Sequence, residues 1–216
     1  MNNIRVKRTR APQQRQIERT NQILDCMEAL LKEKEINDIN LVEISDLTGI
    51  ALPSIYYHFP NKNSILVALT ERVHENWRQN IRSQISPDIE SWQELICQFI
   101  SIGANHLREN SYVPKLILNN NSPMETREVD SNQCAALAMA IMDSLDNYFE
   151  GINKARYTEK MIIAVYILDG IWKNAFFQYG SLPDEIVKES QRALISYLRS
   201  YFPEDFEPKK NLEALN

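Results

Sequence analysis

Residues 40–62 read NLVEISDLTGIALPSIYYHFPNK, and this stretch decides the fold of the N-terminal part of the chain. Asn40 and Glu43 have the spacing of a reciprocal capping box, which predicts that a helix starts directly after Asn40. Gly49 is the residue type that most easily takes the left-handed backbone that ends a helix. Pro53 fits the first turn of a second helix, because its missing N–H would have no partner inside that helix.

Each of these short helices has one apolar face that is predicted to be buried. Leu41, Ile44 and Leu47 are predicted to share the buried face of the first helix. Ile55 and Phe59 are predicted to anchor the second helix. Two short amphipathic helices joined by a glycine turn have the shape of a helix-turn-helix unit.

The opposite face of the second helix is rich in hydrogen-bonding groups. Ser54, Tyr57 and His58 are expected to project from it toward base edges and phosphates in a DNA major groove. Asn61 can cap the following helix and place Lys62 in its first turn, where an ammonium group suits a phosphate. The alternative for the rings is ordinary packing in a small domain, but three successive aromatic residues cannot all face one core.

Three stretches carry a resemblance to a known family: Gly49-Ile50, Pro53-Ser54-Ile55-Tyr56-Tyr57-His58-Phe59 and Asn61-Lys62. They are similar to the DNA-binding signature of the TetR family of one-component transcriptional regulators. The resemblance implies that bases are read through Pro53, Ser54, Tyr57 and His58, and that Tyr56 and Lys62 grip the DNA backbone. Ala51 and Leu52 depart from the family pattern, in which a serine cap and a polar or basic residue are common at these positions. Asn40 completes the set of predicted DNA-contacting residues.

The resemblance also implies an all-α fold, with an N-terminal three-helix helix-turn-helix domain and a larger C-terminal helical ligand-binding and dimerisation domain. Hydrophobic periodicity agrees, because helical patterns run along the chain and no strand pattern competes. We predict a flexible basic arm at 1–12, a DNA-binding domain with a linking helix at 13–85, an effector-binding and dimerisation domain at 86–203 and a polar tail at 204–216.

Helical spacing places the individual helices. The first is predicted at 13–34, with Ile17 on its apolar side, and the last three long helices at 128–150, 158–179 and 183–202. A polar break is expected at 119–123.

Charge is distributed unevenly over the 216 residues, whose formal net charge is −5. Residues 1–85 hold 12 Lys and Arg against 10 Asp and Glu, whereas residues 86–216 hold 12 against 19. The acidity therefore lies in the part that need not contact DNA. The basic arm suits screened contacts with phosphates or entry into a minor groove, and a solubilising tail is the alternative.

The composition argues against several classes of protein. The longest unbroken apolar run, 134–142, is far shorter than the roughly 20 residues that span a bilayer. The N-terminus is polar and basic without an apolar signal segment, so a soluble cytoplasmic protein with no membrane partner is expected.

The cysteines at 26, 97 and 134 lack paired spacing, which favours buried thiols over oxidation sensing. The histidines at 58, 74 and 106 lack the spacing of metal ligands, and the sequence has no glycine loop of the kind that binds phosphates. We therefore expect that the protein is not an enzyme and that it binds no metal or cofactor.

A sensing cavity is expected among the central helices of the second domain. Its candidate lining residues are Trp77, Phe99, His106, Met139, Asp169 and Trp172, although each also fits a plain core. Asp169 is the most informative of them, because an acid within an apolar helix needs a partner, a polar opening or a cationic ligand. A surface position or a salt bridge across a dimer is the alternative for Asp169, and His106 can equally be a satisfied histidine near a helix end.

The predicted helix at 158–179 is apolar almost all round, so it needs two surfaces to bury against. The helix at 183–202 offers a partner stripe. Two such helices from each of two chains make a four-helix dimer interface, which the family resemblance also implies. A two-fold dimer places two recognition helices roughly 34 to 36 Å apart and reads a palindrome.

The leading hypothesis is a homodimeric repressor that occupies a palindromic double-stranded operator and releases it when a small-molecule effector fills the second domain. The linking helix that starts near Lys62 is expected to tilt when the effector binds and thereby to move the recognition helix. An architectural DNA-binding protein without effector control is the alternative, and activation instead of repression stays open.

Overall fold

The computed structural model describes residues 10–118 and 124–209 of the chain. Within these ranges α-helices follow one another without a β-strand, which confirms the all-α class. The helices are α1 (Arg10–Glu33), α2 (Leu41–Thr48), α3 (Leu52–His58), α4 (Lys62–Gln84), α5 (Trp92–Glu109), α6 (Tyr112–Ile117), α7 (Met124–Tyr148), α8 (Lys154–Tyr179) and α9 (Asp184–Leu198), with a 3-10 turn at Ile36–Asp38. Most of the predicted arm (residues 1–9), the polar break at 119–123 and the end of the tail (residues 210–216) lie outside the described residues.

Two compact units divide the chain, Met1–Leu69 and Thr70–Asn216. The boundary lies inside α4, so most of that helix belongs to the second unit. The sequence pattern instead placed the division after residue 85, where the helical spacing is interrupted. The difference arises because α4 is continuous and its apolar residues beyond the boundary, Val73 and Ile81, are buried.

Apolar residues at helical spacing hold the first unit together. Helix α1 packs against α2, and α2 packs against α3. The fully buried side chains come from every helix of the unit: Ile23, Met27 and Leu31 on α1, Ile44 on α2, Ile55 on α3 and Ile65 on α4. Burying a side chain of this size contributes about 1.5–3 kcal/mol, so this shared core fixes the position of α3 within the unit.

Two predicted core positions of the first unit are exposed instead. Leu47, expected on the buried face of α2, is 64% exposed, and Ile17 on α1 is 52% exposed. With 3.6 residues per turn, Leu41, Ile44 and Leu47 spread over about 120° of the helix surface, so only the central Ile44 faces the core fully. Ile17 precedes Ile23, where burial on α1 begins.

Long helices form the second unit, in which α7 packs against α8, α8 against α9 and α9 against α5. The predicted helices at 128–150, 158–179 and 183–202 correspond to α7, α8 and α9 with shifted ends. The short helix α6 was not predicted. Ser91 caps α5 by accepting a hydrogen bond from the Glu94 backbone N–H at 3.2 Å.

Helix α8 has two apolar faces with different surroundings. Met161 and Val165 are almost fully buried within the second unit, whereas Tyr166 and Phe177 are 43% and 76% exposed. The apolar character of this helix therefore divides into a core face and an outward face. No helix of the described residues combines the length and apolar character needed to span a membrane.

The chain beyond α9 packs back onto the second unit. The Phe206 ring lies among three other aromatic rings, those of Phe149, Tyr157 and Phe202. The backbone N–H of Glu150 donates to the Glu207 carbonyl at 2.8 Å. Residues 204–209 of the predicted polar tail are therefore held against the second unit, because one apolar ring anchors an otherwise polar segment.

Candidate nucleic-acid interface and ligand cavity

The turn between α2 and α3 is built from local hydrogen bonds. Gly49 ends α2 with a φ of 68°, the left-handed conformation that its position favours. The Ser45 hydroxyl donates to the Ile50 carbonyl at 2.8 Å, across the turn. Pro53 lies in the first turn of α3, as predicted, and Ala51 before it makes no side-chain capping bond. Short-range interactions thus fix the angle at which α3 leaves the turn.

The side chains of α3 separate into an anchoring face and an outward face. Ile55 is fully buried and Phe59 is 6% exposed, whereas Tyr57 is 80% and Tyr56 is 49% exposed. The His58 ring packs edge-on against Tyr57, with ring centroids 5.5 Å apart. Phenol and imidazole groups on the outward face can donate and accept hydrogen bonds. The outward face therefore has the chemistry that contact with DNA requires.

Asn40 has a structural task at the start of α2. Its Oδ1 accepts a hydrogen bond from the Glu43 backbone N–H at 3.0 Å, as the capping-box pattern predicted. The side chain of Glu43 accepts a hydrogen bond from the Lys34 ammonium group, instead of returning to Asn40 as a reciprocal box requires. The Asn40 oxygen is thus engaged with its own helix.

Lys62 also has partners inside the first unit. Its Nζ donates to the carbonyl oxygens of Ile36 at 2.7 Å and Ile39 at 2.9 Å. Two of the three ammonium hydrogens are thereby used. Asn61 caps α4 as predicted, since its Oδ1 accepts from the Ser64 N–H at 2.9 Å. The predicted contact of Lys62 with phosphate therefore competes with its part in fastening the loop after α1.

A cavity of about 70 Å³ lies within the second unit. Its wall comes from α4, α5, α6, α7 and α8 together with Leu118, and is mainly apolar. Four of the six predicted ligand-site residues line it: Trp77, His106, Asp169 and Trp172. The space is several times what a single water molecule needs, so the cavity can hold a small ligand.

The other two predicted ligand-site residues do not line this cavity. Phe99 lines a smaller neighbouring space of about 20 Å³. Met139 is 51% exposed on α7, so its assignment to the cavity is wrong. Leu137 lines the cavity, and Met139 lies two residues further, which places it about 200° around the helix from Leu137.

Gly103 allows two indole rings to approach α5. A Cβ atom at this position would lie 3.1 Å from Cη2 of Trp172 and 3.2 Å from Cζ2 of Trp77. Any larger residue would therefore require the rings to move. The Trp172 N–H donates to the Ser190 hydroxyl at 3.1 Å, which fixes that ring from its other side.

A buried network of charged groups forms one part of the cavity wall. Asp130 is 5% exposed, and its carboxylate lies 3.1 Å from His74 Nε2 and 2.9 Å from Lys173 Nζ. The Lys173 ammonium also donates to Asp169 at 2.7 Å. Asp169 thus has the partner that its apolar helix requires, within one chain. Sequence reasoning did not select His74 or Asp130 for this site.

Burial and hydrogen bonding act in opposite directions on these acids. Burial raises the pKa of Asp169, and the hydrogen bond from Lys173 offsets this only in part. Burial also disfavours ionised Asp130, but hydrogen bonds from His74 and Lys173 outweigh it and hold the pKa of Asp130 below its usual value. Burial holds the pKa of His106 below its usual value as well.

Cys134 lies beside the same acids, and its Sγ and a carboxylate oxygen of Asp130 and of Asp169 are all within 4.8 Å of one another. Burial, followed by these two carboxylates, raises the pKa of Cys134 to about 12. A metal ion binds the thiolate form of cysteine, which is disfavoured here. The Lys173 ammonium already bridges the two carboxylates, so the group fits a hydrogen-bonded network better than a metal site.

Solved structures share this arrangement of helices. A TetR transcriptional regulator from Rhodococcus sp. RHA1 superposes with a TM-score of 0.65 at 18% sequence identity, over 85% of this chain and 96% of that chain. A TetR-family regulator from Pectobacterium atrosepticum gives a TM-score of 0.65 at 14% identity, over 92% of this chain and 100% of that chain. This chain has the TetR-family fold.

Two further proteins extend the comparison. SmeT, the repressor of the Stenotrophomonas maltophilia multidrug efflux pump SmeDEF, is similar to this TetR-family fold with a TM-score of 0.59 and 18% identity, over 86% of this chain and 91% of that chain. EthR, an HTH-type transcriptional regulator of Mycobacterium tuberculosis, is 35% identical over 51 residues. That match spans about a quarter of each protein, 24% of this chain and 24% of EthR. No protein-family model matches the chain. These four similar proteins are described as regulators or repressors and not as enzymes.

Proposed function

We propose that the chain is a sequence-specific DNA-binding transcriptional regulator. The observation that carries the proposal is the surface of α3, where Tyr57 is 80% exposed although Ile55 on the same helix is fully buried. A large ring held outward on an anchored helix is available to a partner. Ser54 and His58 add hydrogen-bonding groups of the kind that read base edges. The TetR-family fold supports the same use of α3.

The seven predicted DNA-contacting residues take different parts in this proposal. The bases meet the outward side of α3, namely Pro53, Ser54, Tyr57 and His58, and the DNA backbone meets Tyr56. Asn40 and Lys62 act mainly by holding α2 and the loop after α1, since both are hydrogen-bonded within the first unit.

A second copy of the chain is proposed to cover the outward face of α8 together with α9. Tyr166 and Phe177 are exposed on that face, and Gly170 and Ile186 contribute to a groove there. Large apolar side chains gathered on one helix face mark an interaction surface. A two-fold dimer presents two α3 helices roughly 34–36 Å apart, which suits a palindromic operator in double-stranded DNA.

We propose further that the chain is a repressor and that a small molecule releases it from DNA. Helix α4 supports this proposal, because it begins at Lys62 and carries the cavity-lining residues Val73, His74 and Trp77 further along. A ligand that binds one position of α4 better than another shifts the balance between a DNA-binding and a released conformation.

Selection of bound sequences from a random duplex pool, at near-physiological salt, is the direct test. Enrichment of one palindrome is expected, because a regulator needs a large ratio of specific to non-specific affinity. Recovery of unrelated sequences would contradict the proposal and favour the alternative, an architectural DNA-binding protein without effector control.

The double variant Tyr57→Ala with His58→Ala tests the assignment of α3. Each good base contact is worth about 1–3 kcal/mol, so the variant is expected to lose at least about ten-fold in specific affinity. It should retain the helical content and the dimer of the parent protein. Ile17→Ala, which changes an exposed apolar residue on α1, is the matched control. Unchanged operator affinity in the double variant would remove α3 from the interface.

A further inference from the structure

Two buried nitrogen atoms in the cavity wall have no hydrogen-bond partner among residues 10–118 and 124–209: Nε1 of Trp77 and Nε2 of His106. Both residues line the same cavity. Buried polar atoms are rarely left unpaired, because burial without a partner is costly. Two such atoms in one cavity are available to form hydrogen bonds with a bound molecule.

Both nitrogen atoms are hydrogen-bond donors. An indole N–H can only donate. The Asn110 side-chain nitrogen donates to the His106 backbone carbonyl at 2.9 Å and lies 3.3 Å from Nδ1 of the His106 ring, which makes Nδ1 an acceptor. Burial lowers the pKa of His106, so the ring is neutral at neutral pH and carries its single hydrogen on Nε2.

The two donors belong to one region of the cavity. Gly103 and His106 are three residues apart on α5, so they share a helix face. The Trp77 ring approaches this face, because a Cβ atom at Gly103 would lie 3.2 Å from its Cζ2. One small molecule can therefore serve both donors.

The charged groups of the wall disfavour an anion as the bound acceptor. Asp130 and Asp169 both line the cavity, and the single ammonium of Lys173 is shared between them. These carboxylates already oppose ionisation of the neighbouring Cys134. A cationic ligand would have to compete with Lys173 for the same two carboxylates. An uncharged ligand is not repelled by the two carboxylates and does not compete with Lys173.

We propose that the cavity binds a compact, uncharged and mainly apolar molecule whose carbonyl oxygen accepts hydrogen bonds from Trp77 and His106. The apolar remainder of the molecule contacts Leu107, Val165 and Leu168, which line the same space. This inference rests on the proposed function only in treating such a molecule as the effector. The binding itself is measured without DNA, so the two proposals can fail separately.

Cyclohexanone is the probe for this proposal. Methylenecyclohexane is its matched control, because it has the same ring with a CH₂ group in place of the oxygen. The indole N–H signals of ¹⁵N-labelled protein are followed by NMR during titration, and Trp77→Phe assigns the relevant signal. Trp92 is the internal reference, since its N–H donates to the carbonyls of Pro203 and Glu204 and the residue does not line the cavity.

Cyclohexanone is expected to move the Trp77 signal downfield in a saturable manner and to bind about ten-fold more tightly than methylenecyclohexane. His106→Leu should weaken cyclohexanone by roughly five-fold without weakening the hydrocarbon, and His106→Gln, which offers an amide N–H near Nε2, should restore part of the loss. An unshifted Trp92 signal confirms that each variant is folded. The absence of a saturable shift, equal affinity for ketone and hydrocarbon, or tighter binding of cyclohexanecarboxylate or cyclohexylammonium would overturn the proposal.

Discussion

The ammonium nitrogen of Lys62 lies 2.7 Å from the carbonyl oxygen of Ile36, a contact that joins residues 26 positions apart. A second bond from the same nitrogen reaches the Ile39 carbonyl at 2.9 Å. The first residue of α4 thereby satisfies two carbonyl groups in the loop between α1 and α2. The Lys62 side chain, which the sequence pattern predicts to contact DNA, therefore also holds the loop of the first unit in place.

Lys62→Met is therefore expected to lower the free energy of unfolding by about 1–3 kcal/mol, because it removes the ammonium group that donates to two carbonyl groups. Urea denaturation measures this loss. Lys32→Met is the control, since Lys32 makes an exposed ion pair with Glu28 that is worth about 0–1 kcal/mol. Equal stabilities of the two variants would contradict the structural role. If Lys62 only contacted a DNA phosphate, Lys62→Met would instead reduce the slope of log DNA affinity against log salt concentration by about 1.

Removal of the buried acid Asp130 is expected to destabilise the second unit. In Asp130→Asn the His74 and Lys173 groups lose their charged partner, which costs about 3 kcal/mol at neutral pH. Chemical denaturation at pH 7 measures this loss. Asp143→Asn removes an exposed partner of Lys154 and is expected to cost at most about 1 kcal/mol.

The pH dependence of the same variant is a separate prediction. The folded-state pKa of Asp130 is held below its usual value, so its stabilisation is complete above the unfolded-state pKa and is lost as the pH falls through the folded-state pKa. The parent protein should therefore lose more stability than Asp130→Asn on acidification below about pH 4. Parallel stability curves for the two proteins between neutral and acidic pH would refute this assignment.

The segment after α9 is expected to contribute to stability through one ring. Phe206→Ala removes contacts with Phe149, Tyr157 and Phe202 and should cost about 1–3 kcal/mol, less than a fully buried phenylalanine because the ring is half-buried. Glu207→Ala, at the neighbouring exposed position, is the control. Thermal unfolding of both variants decides whether residues 204–209 are fastened or fray as a polar tail would.

Substitution of an exposed ring on α8 tests the proposed dimer. Phe177→Glu places a charge on the outward face of α8, where Phe177 is 76% exposed, and should shift the protein from dimer to monomer in sedimentation. Met139→Glu changes a residue that is 51% exposed on α7 and should leave the assembly unchanged. A Phe177→Glu protein that remains dimeric at micromolar concentration would place the interface elsewhere.

Local features of the fold were predictable because their causes lie within a few residues. Asn40 and Asn61 cap helices that begin directly after them, and Gly49 ends α2 in the conformation that its residue type favours. These interactions depend on spacings of three or four residues, which a sequence displays directly.

The cavity was predictable only in part, because its walls depend on how distant helices pack. His74 and Asp130 are 56 residues apart and neither belongs to a recognisable motif. Met139 is apolar like its neighbours on α7, so composition alone did not reveal that it faces outward. The buried positions of α7 become distinguishable only when the packing of α7 against α8 sets their rotation.

The high pKa of Cys134, about 12, has a practical consequence for labelling the protein. Burial raises the pKa values of Cys26 and Cys97 as well. Maleimide and iodoacetamide dyes react with thiolates, a form that all three native cysteines seldom take at neutral pH. A single cysteine introduced by Met139→Cys would therefore be the preferred target of a fluorophore, and the native cysteines can stay in place while binding and release are followed by fluorescence.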